Sequence, residues 1–442
     1  MSIWPLVTFR VLFGLVAAFG AVRFVAEGWI ERLLVDAAFK FSFYGLAWVP
    51  RPGLVGAYVL YAIITAAALC VAAGYRFRIA APAFVLSFAY AEVLDATYYL
   101  NHYYLVILLG GLLCVTPAHA AVSLDARAGR VARREVVPAW CVHAVQLQLG
   151  LVYFFAGLAK VNADWLFRAM PMAVWLPEHA NWPLVGGVFA QAWTAYAASW
   201  VGCIYDLTIV GFLLNARTRP YAYAIVLCFH GATWALFNIG LFPLIMSTGT
   251  LVFFSGEAHL KVWRRLHDWW TGGTSLPGLD RPIGARAVLP QGQNTSPLTQ
   301  AGLLVVLLVQ IALPLRAYVY PGATSWTEEG YRFGWRVMLV EKSGTARFSV
   351  RDGVSSRAVE IDNRAYLSDY QIKQMAIQPD FVLQFAHHLA AEYRCRGWAN
   401  PEVYAEVHVA LNGRRSRLLV DPAVDLAAEA DGLRPKSWIL PL

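Results

Sequence analysis

Nine apolar stretches dominate the chain before its C-terminal part: Ile3 to Val25, Leu54 to Ala73, Ile79 to Leu94, Tyr98 to Val115, Trp140 to Ala159, Trp193 to Leu214, Tyr221 to Phe237, Leu241 to Ser255 and Ala301 to Tyr318. A membrane-crossing helix needs roughly 17 to 25 predominantly apolar residues, and most of these runs reach that length. The third and eighth are short, so they are expected to tilt, break or sit behind their neighbours. The pattern predicts a polytopic α-helical membrane protein with about nine transmembrane helices. The first run has no basic leader and no small-residue cleavage site, and reads as a retained helix rather than a signal peptide.

After about Pro321 the pattern changes. Arg332 to Val340 and Ala346 to Arg351 read as strands closed by the turn Asp352-Gly353, and Tyr404 to Ala410 alternates with period two before the hairpin signal Asn412-Gly413. Between them Ser368 can cap one helix and Pro379 can start another that runs to about Tyr393. A small α+β domain is expected over residues 321–442, following a transmembrane helical domain over residues 1–320. Three connecting segments stand out. Phe39-Lys-Phe-Ser-Phe-Tyr-Gly-Leu-Ala-Trp is too short and aromatic for an aqueous loop, and is expected at the membrane interface or re-entering the bundle. Lys261 to Trp270 interleaves basic and aromatic residues like an interfacial helix, and Thr271 to Pro297 is a Gly/Pro/Ser-rich linker. No internal repeat is evident.

Composition agrees with the pattern: 58% of the 442 residues are hydrophobic and only 14% charged, outside the usual soluble range. The net charge of +8 does not point to nucleic acid, because the basic residues gather in short loops. Arg76 and Arg78, then Arg127, Arg130, Arg133 and Arg134, then Arg217 and Arg219, and finally Lys261, Arg264, Arg265, Arg281 and Arg286 follow every even-numbered run. The positive-inside rule places the N terminus and the 271–297 linker in the cytoplasm, and the C-terminal domain outside it. Five of the six cysteines lie in apolar segments and Cys395 stands alone, without CxxC or Cys/His spacing. Neither a metal site nor a disulfide framework is expected.

The polar residues inside the apolar runs carry the chemistry. Lys160, one of only six lysines against thirty arginines, is the one joined directly to a long uncharged run. It either snorkels to the headgroups or works as a base. A lysine is a general base only after losing its proton, which apolar surroundings favour and a close carboxylate opposes. On the inferred topology Lys160 shares one membrane half with Glu92, Asp95, Asn101-His102 and Asn238, while His230 lies near the middle of its run. A lone His102 could be an interfacial histidine, and a lone His230 could be satisfied by a helix carbonyl. Asp206, amid Ile204, Leu207 and Ile209, needs a partner or a proton.

Taken together, certain short pieces form a pattern: Gly74-Tyr75-Arg76, Asn101-His102-Tyr-Tyr-Leu105, Ser123-Leu-Asp125, Ala156-Gly157-Leu-Ala-Lys160 continuing to Asp164-Trp165, and His230 followed by Leu236-Phe-Asn-Ile-Gly240. In the polar part come Gly330-Tyr-Arg-Phe-Gly-Trp335, Arg351-Asp-Gly353, Asp421-Pro422 and Ser437-Trp438. In this order, across nearly the whole chain, they resemble the vitamin K-dependent gamma-glutamyl carboxylase family and its bacterial relatives, the horizontally transferred transmembrane-domain proteins.

The resemblance implies that Lys160 deprotonates vitamin K hydroquinone, or menaquinol, which adds O2 and becomes a strongly basic alkoxide. That species removes a γ-proton from a peptide glutamate, the carbanion captures CO2, and the vitamin leaves as its epoxide. His102 is associated with the carboxylation half. Asn101, Tyr103, Asp164, Trp165, Asp206, His230, Asn238 and Trp335 are expected to bind or support substrate, with a glutamate-containing exported peptide and membrane lipids as partners. Animal carboxylases continue beyond the segment matched by Ser437-Trp438, so a chain ending at Leu442 is expected to be a bacterial member in a cytoplasmic membrane rather than the endoplasmic reticulum. Two alternatives stay open: epoxidation without carboxylation, and a non-catalytic transport or peptide-export component with Lys160 and His102 in a substrate path.

Overall fold

The computed structural model describes residues 1–36, 38–271, 296–355 and 357–442. The expected linker, apart from its end residues, lies outside the described residues. All nine apolar stretches are helical. They form α1 (Trp4–Ala26), α2 (Leu54–Ala73), α3 (Phe77–Val93), α4 (Asn101–Val115), α5 (Trp140–Lys160), and, after the short α6 (Ala163–Arg168), α7 (Ala192–Leu214), α8 (Arg219–Leu236) and α9 (Phe242–Gly249). An amphipathic helix α10 (Gly256–Thr271) precedes α11 (Pro297–Leu315). By length and composition, α1, α2, α5, α7 and α11 with its extension to Tyr318 are apolar and long enough to cross a membrane. A helix satisfies its own backbone, which is why apolar runs of this kind take no other form there.

Two glycines set how closely these helices pack. A side chain at Gly14 would place Cβ 2.6 Å from the Ala68 carbonyl oxygen, so its absence lets α1 lie against α2. At Gly157 a Cβ would lie 2.8 Å from Leu207 Cγ and 3.0 Å from the Leu207 nitrogen, which brings α5 onto α7. Gly74-Tyr75-Arg76 and Ser123-Leu-Asp125 meet in space. Gly74 closes α2 in the left-handed conformation (φ +63°), and Asp125 accepts the Arg76 and Phe77 N–H groups at 2.9 Å each, capping α3 from a distance. The fully buried Arg10 donates to the Val122 carbonyl at 2.6 Å beside them. These motif residues build the bundle.

The C-terminal part is a four-stranded antiparallel sheet in the order β2 (Ala358–Ile361), β1 (Lys342–Asp352), β3 (Pro401–Leu411), β4 (Arg417–Leu418), backed by α12 (Asp369–Ile377) and α13 (Pro379–Cys395). Alternate residues Phe348 and Val350 on β1, and Val403, Ala405 and Val407 on β3, form the buried face. Ser368 makes a full capping box with Gln371, and Pro379 opens α13, as expected. Asn412 (φ +49°) and Gly413 (φ +70°) turn β3 into β4, with the Arg414 N–H donating to the Leu411 carbonyl.

Two expectations need correction. Arg332 to Val340 is not a strand. Phe333, Trp335 and Met338 all have positive φ, which breaks extended geometry, because the apolar residues of this stretch are drawn into the bundle instead of a sheet. Trp335 is fully buried in the helical core and stacks on Tyr104 at 5.2 Å. Of the two places expected for the aromatic segment after α1, re-entry into the bundle is the one that falls. The segment straps onto the C-terminal unit: Phe41 is fully buried 4.7 Å from Phe381, and Gln384 exchanges two hydrogen bonds with the Ser42 backbone.

A buried ion pair and an apolar cavity form the candidate site

Lys160 is the last residue of α5, and Asp206 lies in the middle of α7. The Gly157 contact sets these helices close enough for Lys160 Nζ to donate to Asp206 Oδ2 at 2.7 Å, with a further contact to the Ala156 carbonyl at 3.3 Å. Both side chains are less than a tenth exposed. Lys160 therefore does not snorkel, and it is the partner that Asp206 needs. Trp165 faces the ammonium at 5.3 Å and is held by its indole N–H on the Ser199 carbonyl at 2.6 Å. Asn162 caps α6 through the Trp165 N–H, so a local helix start aims the ring.

Deeper in the bundle, His230 Nε2 lies 2.9 Å from the Tyr153 hydroxyl, which accepts a weaker contact from Tyr205 at 3.4 Å. The partner of His230 is thus a phenol and not a helix carbonyl. Tyr205 precedes Asp206 in the chain, so the polar line runs from beside the ion pair to His230. Phe242 continues it without hydrogen bonds, its ring centroid lying 6.1 Å from His230 and 6.2 Å from His102.

His102 opens a different space. It stands in the first turn of α4, on the wall of a cavity of about 1050 Å³ lined by Phe9, Phe13, Phe24, Phe88 and Phe242. No hydrogen bond to its ring nitrogens is present among the described residues. Gly240, in the left-handed conformation, lets the loop before α9 come close: a Cβ there would be 3.4 Å from His102 Nε2. Asn101, Tyr103 and Asn238 line the same cavity. Asn101 is oriented by the Tyr99 hydroxyl at 3.1 Å and donates to the Arg336 carbonyl at 3.3 Å, while the Tyr103 ring packs on His102 at 4.5 Å. A partly open space of this size, with an aromatic wall on one side and charged groups such as Arg23, Glu92 and Arg336 on the other, suits a flat apolar ring bearing polar substituents.

The candidate residues therefore divide. His102, Asn101, Tyr103 and Asn238 share the cavity, whereas Lys160, Asp206, Trp165 and the His230–Tyr153 pair do not line it. Asp164 and Trp335 serve contact between the two parts of the molecule. Asp164 receives Arg414 through two hydrogen bonds of 2.7 and 2.6 Å, and Asn412 at 3.0 Å. Burial pushes the Asp164 carboxyl up, but the hydrogen bonds of Arg414 and Asn412 and the charges of Arg414 and Arg168 outweigh it and hold the group below the usual carboxylate range. Sequence reasoning missed the cavity residues Arg23 and Arg336, and left Glu92 without a role. For Arg23 and Glu92 the available signal was charge inside an apolar run, whereas nothing local marked Arg336.

Apolar helices of spanning length around a cavity with acid–base side chains define an integral membrane protein. Residues 1–257 match the HTTM domain model, and residues 295–442 match the model of the vitamin K-dependent gamma-carboxylase lumenal domain. The chain belongs to the vitamin K-dependent gamma-carboxylase family. No solved structure matches it.

Proposed function

We propose that this protein epoxidises vitamin K hydroquinone, or menaquinol, and couples that reaction to γ-carboxylation of glutamate in an exported peptide, with O2 and CO2 as co-substrates. The observation that carries this reading is His102, its ring nitrogens without a hydrogen-bond partner among the described residues, on the wall of an aromatic-lined cavity of about 1050 Å³. The aromatic wall and the volume fit a quinone ring. When bound, the hydroquinone would supply on oxygenation the strong base that an amine cannot be. The phenylalanines of the wall would shield that base from water on their side of the cavity.

In this reading His102 and Asn101 orient the glutamate carboxyl and the incoming CO2, and Tyr103 fixes the imidazole by packing on it. Lys160 takes up the hydroquinone proton once its own has passed to Asp206 at 2.7 Å, so the pair ends as an ammonium beside a neutral carboxyl. The Tyr205–Tyr153–His230 contacts connect that pair toward the cavity. We further propose nine membrane crossings, division into residues 1–320 and 321–442, a cytoplasmic N terminus and an outward C-terminal unit in a bacterial cytoplasmic membrane. The loop charges support that orientation.

The test supplies purified protein with reduced vitamin K, O2, labelled bicarbonate and a glutamate peptide. Epoxide with label in the peptide is expected, and His102→Ala is expected to lower carboxylation more than epoxidation. Epoxide without label would restrict the activity to epoxidation, and no epoxide in several lipids would leave a non-catalytic role.

A further inference from the structure

Glu92 sits near the end of α3, half-buried, with no hydrogen bond or ion pair to its carboxylate among the described residues. Of the described residues it alone lines both the His102 cavity and a second cavity of about 430 Å³. The second cavity lies against the C-terminal unit and is edged by Glu328, Glu329, Asp380, Asp431, Arg332 and Lys436. On the bundle side, the titratable groups facing Glu92 are Tyr61 of α2 and Tyr103 of α4, with Arg23 and His102 further along the same cavity. A carboxylate left unpaired among apolar helices is destabilising, and the default explanation for one that faces a cavity is proton or ion transfer.

The stoichiometry of the proposed reaction requires such a group. The hydroquinone brings two hydroxyl protons and the glutamate one γ-proton. One atom of O2 ends in the epoxide, and the other leaves as water with two of those protons. The C–H bond of the glutamate is replaced by a C–C bond to CO2, which arrives without a proton and ends as a carboxylate. One proton per carboxylation is left over in the cavity. Epoxidation alone releases none, since its two protons both leave in water.

We propose that Glu92 is the outlet for that proton, accepting it in the His102 cavity and passing it to the charged second cavity; the inference rests on the carboxylation reading above. Glu92 holds the proton and touches no bond of the reacting carbon. Its loss uncouples the halves: epoxide continues to form while the glutamate carbanion, facing an undrained proton, is reprotonated instead of carboxylated.

The experiment compares wild-type protein with Glu92→Gln and Glu92→Asp in lipid nanodiscs. It measures epoxide, peptide label and exchange of solvent deuterium into the glutamate γ-carbon. Glu92→Gln is expected to keep epoxide formation, lower label per epoxide by on the order of a hundredfold and raise deuterium exchange, with recovery in Glu92→Asp or on adding formate. Separately, without vitamin K, dicyclohexylcarbodiimide is expected to modify Glu92 of the wild-type protein, because a carboxyl that loads and unloads a proton is protonated part of the time and this reagent captures that form in apolar settings. Equal label per epoxide in wild type and Glu92→Gln, or no modification of Glu92, overturns the outlet. A wild-type protein that makes epoxide but never labels the peptide overturns the carboxylation reading itself, a different result.

Discussion

Lys160 Nζ and Asp206 Oδ2 stand 2.7 Å apart on two helices that touch through a glycine, and neither side chain lines the cavity that His102 faces. Removing one member of such a buried pair leaves the other uncompensated and costs about 3–5 kcal/mol. Lys160→Ala is therefore expected to lose both stability and epoxide formation, and its inactivity alone would not separate the two. The double variant Lys160→Met with Asp206→Leu removes both charges and is expected to unfold near the wild-type temperature in detergent while forming no epoxide. A folded double variant with wild-type epoxide formation would take Lys160 out of the chemistry.

Gly157→Ala should act through the same pair. Its Cβ would meet Leu207 Cγ at 2.8 Å and force α5 away from α7. Overpacking of this kind costs about 1–3 kcal/mol, and the separation stretches the Lys160–Asp206 contact. A lower unfolding temperature together with reduced epoxide formation is expected. A variant indistinguishable from wild type in both would show that the helix spacing does not position Lys160.

Phe41 belongs by sequence to the connection after α1, but by packing to the sheet unit. Phe41→Ala is expected to cost about 3–5 kcal/mol, as for other fully buried aromatics, and to raise hydrogen exchange in α13 around Phe381 more than in α2. Uniform exchange across both helices would argue against a strap.

The Asp164–Arg414 contact should respond to acid. The folded carboxyl lies below its unfolded value near about 3.9, so its contribution to docking is fully present above that value and is lost as pH falls through the folded one. Protease sensitivity of the segment around Arg414 is expected to rise below about pH 4 in wild type. In Asp164→Asn it should be high already at neutral pH and nearly flat. Persistent protection in the variant would mean that other contacts hold the unit in place.

Much of the fold was legible because it follows from local rules. Apolar runs without internal partners become helices, Ser368 and Pro379 start helices by satisfying or omitting first-turn N–H groups, and Asn412-Gly413 tolerates positive φ in a two-residue hairpin. Arg332 to Val340 misled because a strand-like run of apolar residues records only that some side chains are buried, not in what. Here they enter the helical core from a chain with three left-handed residues. Phe41 misled for the same reason, since nothing local distinguishes a residue bound for lipid from one bound for a distant sheet.

The sequence by itself determined the membrane class, the helix positions and the family, and it nominated the candidates from Asn101-His102 to Lys160, since these depend on composition and on motifs contiguous in the chain. The tertiary structure decided which of those residues meet. It joined Lys160 to Asp206 and His230 to Tyr153, gathered His102, Asn101, Tyr103 and Asn238 around one cavity, and set Asp164 against the C-terminal unit. It also placed Glu92 between two cavities. The physical reason is that pairing of buried charges depends on where helices cross, and the crossing of α5 and α7 is fixed by a missing side chain at Gly157 and the bulk of Leu207, 50 positions away.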